Sequence, residues 1–379
     1  MKARLAIALL TLLSWNLFSQ EYKLTKNGES LLDSVYSSYI VRYKIPGLAI
    51  GIMLRDRVIY SKGFGVKNLR TRELVSNESI FHLASVSKPF VATAVMQLVA
   101  NNMISLDSPL VKYLPYFSLN SEEYRRITIR QMLTHTSGLP DVKDYEWHKA
   151  QYDDQAAGRY VRSLKNIHLA FEPGDDFGYS NMAYDILGEV IAKVAGVTFE
   201  EYMNTHIFIP AKMLHSTFLK MAVTSDLATT PHVRGHLETE IAPVYPYNRT
   251  HAPSSTLHSC VSDMLQWATI LSDSAKQNNG ILTGSSFQQM ITPHFELDPF
   301  TSVGLGWFIH EDDETHYIFH MGGDVGFSSM ITFFPKHQLS IVVLSNCDFT
   351  DVRHATSTAF RVLQQKHPLP NSDNLLFVR

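Results

Sequence analysis

The chain has 379 residues, 45% of them apolar and 11% aromatic, and a formal net charge of -3. That apolar content supports a large buried core in one or two domains and excludes a disordered chain. The near-neutral charge, with no long basic run, excludes nucleic acid as a partner, because phosphate neutralisation needs clustered Lys and Arg.

Lys2 and Arg4 precede an apolar stretch from Leu5 to Phe18, broken by Ser14 and Asn16, and polar sequence returns at Ser19-Gln20-Glu21. A basic start, a short apolar run and a polar cleavage zone predict a secretory signal peptide over residues 1–20, with the mature domain over 21–379 in a periplasmic or extracellular setting. An uncleaved anchor needs ~20 apolar residues, more than this run supplies, so no membrane span is expected after cleavage. No cysteine stands near the cleavage zone for acyl attachment. With only Cys260 and Cys347 in the chain, no disulfide framework is indicated.

Leu32, Val35, Tyr36, Tyr39 and Tyr43 recur at helical spacing and predict a first helix ending before Pro46. Two strand-like runs follow, Gly47 to Leu54 and Val58 to Val66, separated by Arg55-Asp56-Arg57. Then comes Ser85-Val86-Ser87-Lys88-Pro89 ahead of an apolar run from Phe90 to Val99. Proline costs about 3 kcal/mol inside a helix but nothing in the first turn, where its missing N–H has no partner in any case. Pro89 therefore dates the helix start to about Ser85 and puts Lys88 one turn further along the same face, within proton-exchange reach of the Ser85 hydroxyl.

Thr128-Ile129-Arg130-Gln131 and Thr198-Phe199-Glu200-Glu201 fit the capping box and mark two helix starts. Between them Ile186, Leu187, Val190, Ile191 and Val194 line one face of a helix that Gly196 terminates. Just ahead of it, the turn-rich Pro173-Gly174-Asp175-Asp176-Phe177-Gly178 delivers Tyr179-Ser180-Asn181 at a loop tip. From Gly304 the pattern turns to strands, Gly304 to Ile309, His316 to His320, Phe327 to Phe334 and Leu339 to Leu344, followed by a terminal helix from about Asp351 to Gln365. His320-Met321-Gly322-Gly323 ends one of these strands, and paired glycines let a backbone pass close to a bound molecule.

Strands at both ends and helices in the middle predict an α/β (α+β) fold. It is an antiparallel sheet flanked by helices, formed by residues 27–84 and 259–367, with an inserted all-helical region over 85–258. The active site is expected at the junction of the two.

Taken together, these motifs resemble the serine β-lactamase and penicillin-binding-protein superfamily, most closely its class C β-lactamase-like branch of esterases and D-amino-acid peptidases. The resemblance covers nearly the whole mature chain. It rests on Ser85-x-x-Lys88, Tyr179-x-Asn181 and His320-x-Gly322 in the family's order, supported by Leu133 to Pro140 and by Gly304-Leu305-Gly306-Trp307. It implies a β-lactamase/transpeptidase-like fold and an acyl-enzyme on Ser85, with Lys88 or Tyr179 as the base. Asn181 would orient the substrate carbonyl or Lys88, and the backbone N–H groups of Ser85 and Gly323 would form the oxyanion hole beside Gly322 and His320.

Plainer readings stand beside each motif. Tyr202-Met203-Asn204 repeats the second motif inside a helix and reads as core. Lys26-Asn27-Gly28 imitates the family's third motif but lies far upstream of the nucleophile. His135 reads as structural, and Cys260 as a buried small hydrophobe despite His258 nearby. His316 and His320 share a strand face without a third ligand at recognisable spacing, so neither a metal nor another cofactor is expected. Penicillin-recognising members usually carry lysine where this chain has His320, and a neutral imidazole holds a substrate carboxylate poorly. The expectation is hydrolysis of an ester or small peptide amide, with β-lactamase or D-alanyl-D-alanine carboxypeptidase activity, or peptide binding without turnover, as alternatives.

Overall fold

The computed structural model describes residues 24–236, 238–274 and 280–366. The expected signal peptide lies outside them. Helix α1 (Lys26–Arg42) opens on Thr25, whose hydroxyl accepts from the Gly28 N–H, and buries Leu32, Tyr36 and Tyr39 along one stripe. Strands β1 (Gly47–Leu54) and β2 (Arg57–Gly65) form the first hairpin. The two-residue strand β3 (Phe81–His82) leads into α2 (Ser87–Ala100).

The inserted region holds α3 (Ile129–Leu133), α4 (Ala156–Ser163), α5 (Asn181–Ala195) and α6 (Phe199–Met203). A small hairpin, β4 (His232–Arg234) with β5 (Thr239–Ile241), α7 (Ala252–Ser255) and β6 (His258–Ser259) complete it. The capping box at Thr128 and Gln131 forms in both directions, and Thr198 accepts from the Glu201 N–H. Gly196 ends α5 at φ +75°, as its position after Val194 predicts.

Helices α8 (Val261–Ser274) and α9 (Gly284–Met290) precede strands β7 (Phe295–Asp298), β8 (Thr301–Val303), β9 (Phe308–Glu311), β10 (His316–Asp324), β11 (Phe327–Phe334) and β12 (Leu339–Ser345), and α10 (Val352–Lys366) closes the fold. One eight-stranded antiparallel sheet runs β2-β1-β12-β11-β10-β9-β8-β7, so the N-terminal hairpin pairs with the last strand. The mixed α/β class with a helix-flanked antiparallel sheet is as expected.

Every residue of β1, β11 and β12 is buried, because helices cover both faces of the sheet. On one side α8 lies so close that a Cβ at Gly51 would stand 2.5 Å from Val261. On the other, α1 and α10 are tied together by Tyr36 and Tyr39, whose hydroxyls donate to the Ala355 and Asp351 carbonyls. Two apolar cores result, one on each face of the sheet.

The structure corrects the strand expected over Gly304 to Ile309. The chain turns at Gly306 (φ +77°), and the apolar run is buried because it packs under α2, where a Cβ at Gly306 would stand 2.6 Å from Ala92. β8 and β9 lie on either side of this turn.

Candidate active site

The turn that carries Ser85 begins with a backbone step. Ala84 has φ +47°, a left-handed conformation uncommon for a residue with a side chain. Three successive short-range bonds follow, from the N–H groups of Val86, Ser87 and Lys88 to the carbonyls of Leu83, Ala84 and Ser85. Ser87 Oγ locks the turn by donating to the Ala84 carbonyl at 2.7 Å and accepting from the Leu257 N–H at 2.9 Å. Helix α2 thus begins at Ser87, two residues later than the proline argument placed it, and Ser85 sits in the tight turn that feeds it. Between Phe81 and Met96 only Ser85 is not fully buried.

Lys88 has no exposed surface, yet its ammonium head meets three acceptors: Ser85 Oγ at 2.9 Å, Asn181 Oδ1 at 2.6 Å and the Ser254 carbonyl at 2.8 Å. Burial pulls its pKa down to about 7, against the opposing pull of Asp185, Asp141 and Asp324. A substantial share of this amine is therefore neutral at physiological pH. Asn181 opens α5, and its orientation is set by its partners. Its Oδ1 accepts from Lys88, while its Nδ2 and backbone N–H both donate to Asp141 Oδ1 at 2.9 Å. Of the two roles expected for Asn181, the geometry matches orientation of Lys88; both ends of the amide are already engaged.

Tyr179 completes the cluster. Its phenol is in hydrogen-bond contact with Ser85, and Lys88 Nζ stands 4.9 Å from its ring centre. Burial pushes this phenol above its usual range, so the resting group is neutral. The ring stacks on His135 with centroids 4.3 Å apart. His135 Nδ1 accepts from the Ser180 N–H at 3.0 Å, which places its proton on Nε2. That is the structural part expected of His135, with the added task of backing Tyr179.

Beyond Phe319, β10 has no partner strand on its β9 side among the described residues, so residues 320–324 form a free edge facing the turn that carries Ser85. Asp324 and Phe327 close a two-residue hairpin turn, and the alternation of an antiparallel ladder then points the Gly323 N–H away from β11 and outward from this edge. Space around Gly323 is open, since a Cβ there meets nothing within 4 Å. Gly322 differs. A Cβ there would stand 2.2 Å from the Leu83 carbonyl oxygen and 3.0 Å from the Ser85 nitrogen, so this glycine lets the strand lie against the turn carrying Ser85.

His320 is buried, and its Nδ1 donates to the Met321 carbonyl at 2.8 Å, leaving Nε2 as an acceptor. Burial and the nearby Lys88 pull its pKa down to about 3, so the imidazole is neutral. Ser85, Lys88, Tyr179, Asn181, His320, Gly322 and Gly323 thus all converge at the junction of sheet and helical region. A cavity of about 1740 Å³ reaches this point at Tyr179, His320, Gly322 and Gly323.

Several participants carried no sequence signal. Asp141 holds Asn181. Asp185 accepts from the Ser254 N–H at 3.3 Å and pairs with His251 Nδ1 at 2.6 Å, which fixes the carbonyl that Lys88 uses. Asp324 binds His82 and Ser255. Among the described residues no group of three or more His, Cys, Asp or Glu is arranged to hold a metal. Cys260 and Cys347 are free and buried, with thiol pKa values pushed up by burial to about 12 and about 11. Tyr202 is buried and donates to Gln97, as its reading as core requires.

Known proteins share this fold. The beta-lactamase family model matches residues 29–366. Protein flp of Staphylococcus aureus (strain MW2) is 27% identical over 328 residues, 86% of this chain and 64% of its own length, so the chain spans less than two thirds of that relative. Among solved structures, an octameric penicillin-binding protein homologue from Pyrococcus abyssi superposes with a TM-score of 0.77 at 26% identity, covering 90% of this chain and 79% of its own. EstCE1, a hydrolase with promiscuous acyltransferase activity, shares the fold with a TM-score of 0.75 at 22% identity over 89% of this chain and 98% of its own. With its ordered motifs gathered around one buried amine and one accessible hydroxyl, the chain belongs to the beta-lactamase family of serine hydrolases.

Proposed function

We propose that this protein is an exported hydrolase that cleaves an ester or a small peptide amide through an acyl-enzyme on Ser85. The observation that carries the reading is the 2.9 Å approach of Lys88 Nζ to Ser85 Oγ in a site where burial holds the amine near neutrality. Neutral Lys88 takes the hydroxyl proton as Ser85 Oγ adds to the substrate carbonyl. The oxyanion forms between the N–H groups of Ser85 and Gly323, and one such donor is typically worth about 2.7 to 4 kcal/mol in the transition state. Tyr179, protonated at rest and in contact with the same hydroxyl, passes its proton to the departing oxygen or nitrogen and regains one from the Lys88 ammonium. Water then adds to the acyl carbon, gives its proton to Lys88, and Ser85 leaves with that proton restored.

His320 supports the substrate side of the proposal. A neutral imidazole offers a lone pair and no fixed positive charge, which suits an ester or amide better than a ligand anchored by its carboxylate. Export rests on the basic, apolar and polar order of residues 1–20.

Intact mass after incubation with esters, D-Ala-terminated peptides and a penicillin tests the reading. The expected result is a covalent adduct from an ester or peptide donor, lost in Ser85→Ala together with turnover. A penicillin adduct in place of these would move the assignment to the alternative activities, and full turnover by Ser85→Ala would overturn the nucleophile.

A further inference from the structure

β10 is nine residues long, ~30 Å of strand, and His316 to Phe319 carry it away from the reactive centre with the cavity alongside. Its alternate residues Tyr317, Phe319 and Met321 face the α10 side of the sheet, as do Phe308 and His310 of β9, which pair with Phe319 and Tyr317. Their rings form a ladder: Phe308 and Phe319 lie 5.6 Å apart, His310 and Tyr317 4.6 Å, and Tyr317 and Phe319 5.4 Å. Helix α10 packs on β11 and β12 and reaches this part of the sheet only through its first turn, where Arg353 covers Phe319; the rest of the ladder borders the cavity as a trough.

The trough joins the reactive centre around the free edge of β10. Phe308 marks the join, with its ring 5.5 Å from His320 and stacked towards Tyr179 at 6.5 Å. Two further aromatic rings border the trough although water reaches them freely. Phe300 is 56% exposed, and Phe349 is 82% exposed on a backbone at φ +48°. A single exposed ring is ordinary, but two beside one aromatic-floored cavity that opens on a nucleophile form an apolar binding surface. The charges around it are predominantly negative. Six of the bordering residues are Asp or Glu, against one guanidinium, Arg353, which is occupied over the Phe319 ring and at Met321 Sδ.

We propose that the trough holds one arm of the substrate, a long apolar or aryl group without negative charge, while the scissile carbonyl sits at Ser85. This rests on the hydrolase reading above and adds the substrate class.

Two ester series test it: p-nitrophenyl acetate against octanoate, which varies the acyl arm, and ethyl against octyl acetate, which varies the alcohol. At least a tenfold higher kcat/KM for the long member is expected in one series, and the double variant Phe300→Ser/Phe349→Ser should lose about fivefold on that ester and less than twofold on the short one. A flat response in both series, or equal losses on long and short esters, overturns the trough. For the charge, an eight-carbon chain ending in an amine, placed on whichever arm shows the length preference, should react about tenfold faster than one ending in a carboxylate, and equal rates overturn that part. Labelling of Ser85 by a fluorophosphonate in the same preparation separates the two readings. Labelled Ser85 with no chain-length preference sinks the trough alone, whereas failure to label sinks the hydrolase assignment.

Discussion

His82 Nε2 donates to Asp324 Oδ2 at 3.0 Å, and this contact fastens the segment that carries Ser85 to the strand end that carries Gly323. Ser255, next to the carbonyl-bearing Ser254, donates to the same carboxylate oxygen. One side chain therefore sets the relative positions of the nucleophile turn, the outward N–H of β10 and the helix supplying an acceptor to Lys88. Asp324→Ala leaves the buried His82 donor unpaired, which costs about 1–3 kcal/mol, and loosens the proposed oxyanion donors of Ser85 and Gly323. Steady-state kinetics should show kcat lower by tenfold or more with KM within twofold, and thermal melts a lower Tm. A lower Tm with unchanged kcat would reduce Asp324 to a purely structural part.

Lys88 sets the pH dependence. With its folded pKa near 7, kcat/KM on a neutral ester should climb through an acid limb centred near pH 7 as the amine deprotonates. Stability carries the same signature. The unfolded lysine titrates near 10.4, so between about pH 7 and that value the unfolded chain binds the extra proton, and stability rises with pH across that window. Lys88→Met should abolish turnover, and in urea titrations it should lack this rise. An acid limb below pH 5 in the wild type would contradict a neutral lysine as the base.

Legibility in the sequence followed sequence distance. Ser85 and Lys88 were readable because three residues of chain set their approach, and Asn181 because a turn-rich loop delivers it just ahead of the next helix; the cap that Ser180 makes there carried no reading of its own. The strand over Gly304 to Ile309 was misread because Leu305 and Trp307 are buried by the helix above them, which gives an apolar run without a strand's pairing. The His82–Asp324 contact joins residues 242 positions apart, and Asn181 meets Asp141 across 40. Neither carboxylate stands at a spacing that a local rule reads. Only the closing of the sheet onto the helical region brings them to the site.

The two glycines of the third motif should separate by experiment. Gly322→Ala forces a methyl group against the Leu83 carbonyl and the Ser85 nitrogen, where neither backbone atom yields without moving the nucleophile. Overpacking of this kind costs about 1–3 kcal/mol, and activity should fall by a hundredfold or more with it. Gly323→Ala places its methyl in open space and keeps the N–H, so its Tm should stay within about a degree of wild type. Equal destabilisation of the two variants would refute the different roles assigned to these neighbours.

Charge at position 320 acts on Lys88. Lys88 and His320 sit close enough that the lysine depresses the imidazole, and the coupling runs both ways. A cation at position 320 would in turn disfavour the ammonium form of Lys88. His320→Lys should therefore move the acid limb of kcat/KM to lower pH, provided its own amine stays protonated, and should improve the relative rate of esters that carry a carboxylate. His320→Gln keeps a neutral hydrogen-bonding group and should leave the limb where it is. Measured pH profiles on one neutral ester decide the matter. If both variants shift the limb equally, the change stems from altered packing around Phe308 and the free edge of β10, and charge at 320 has no hold on the base.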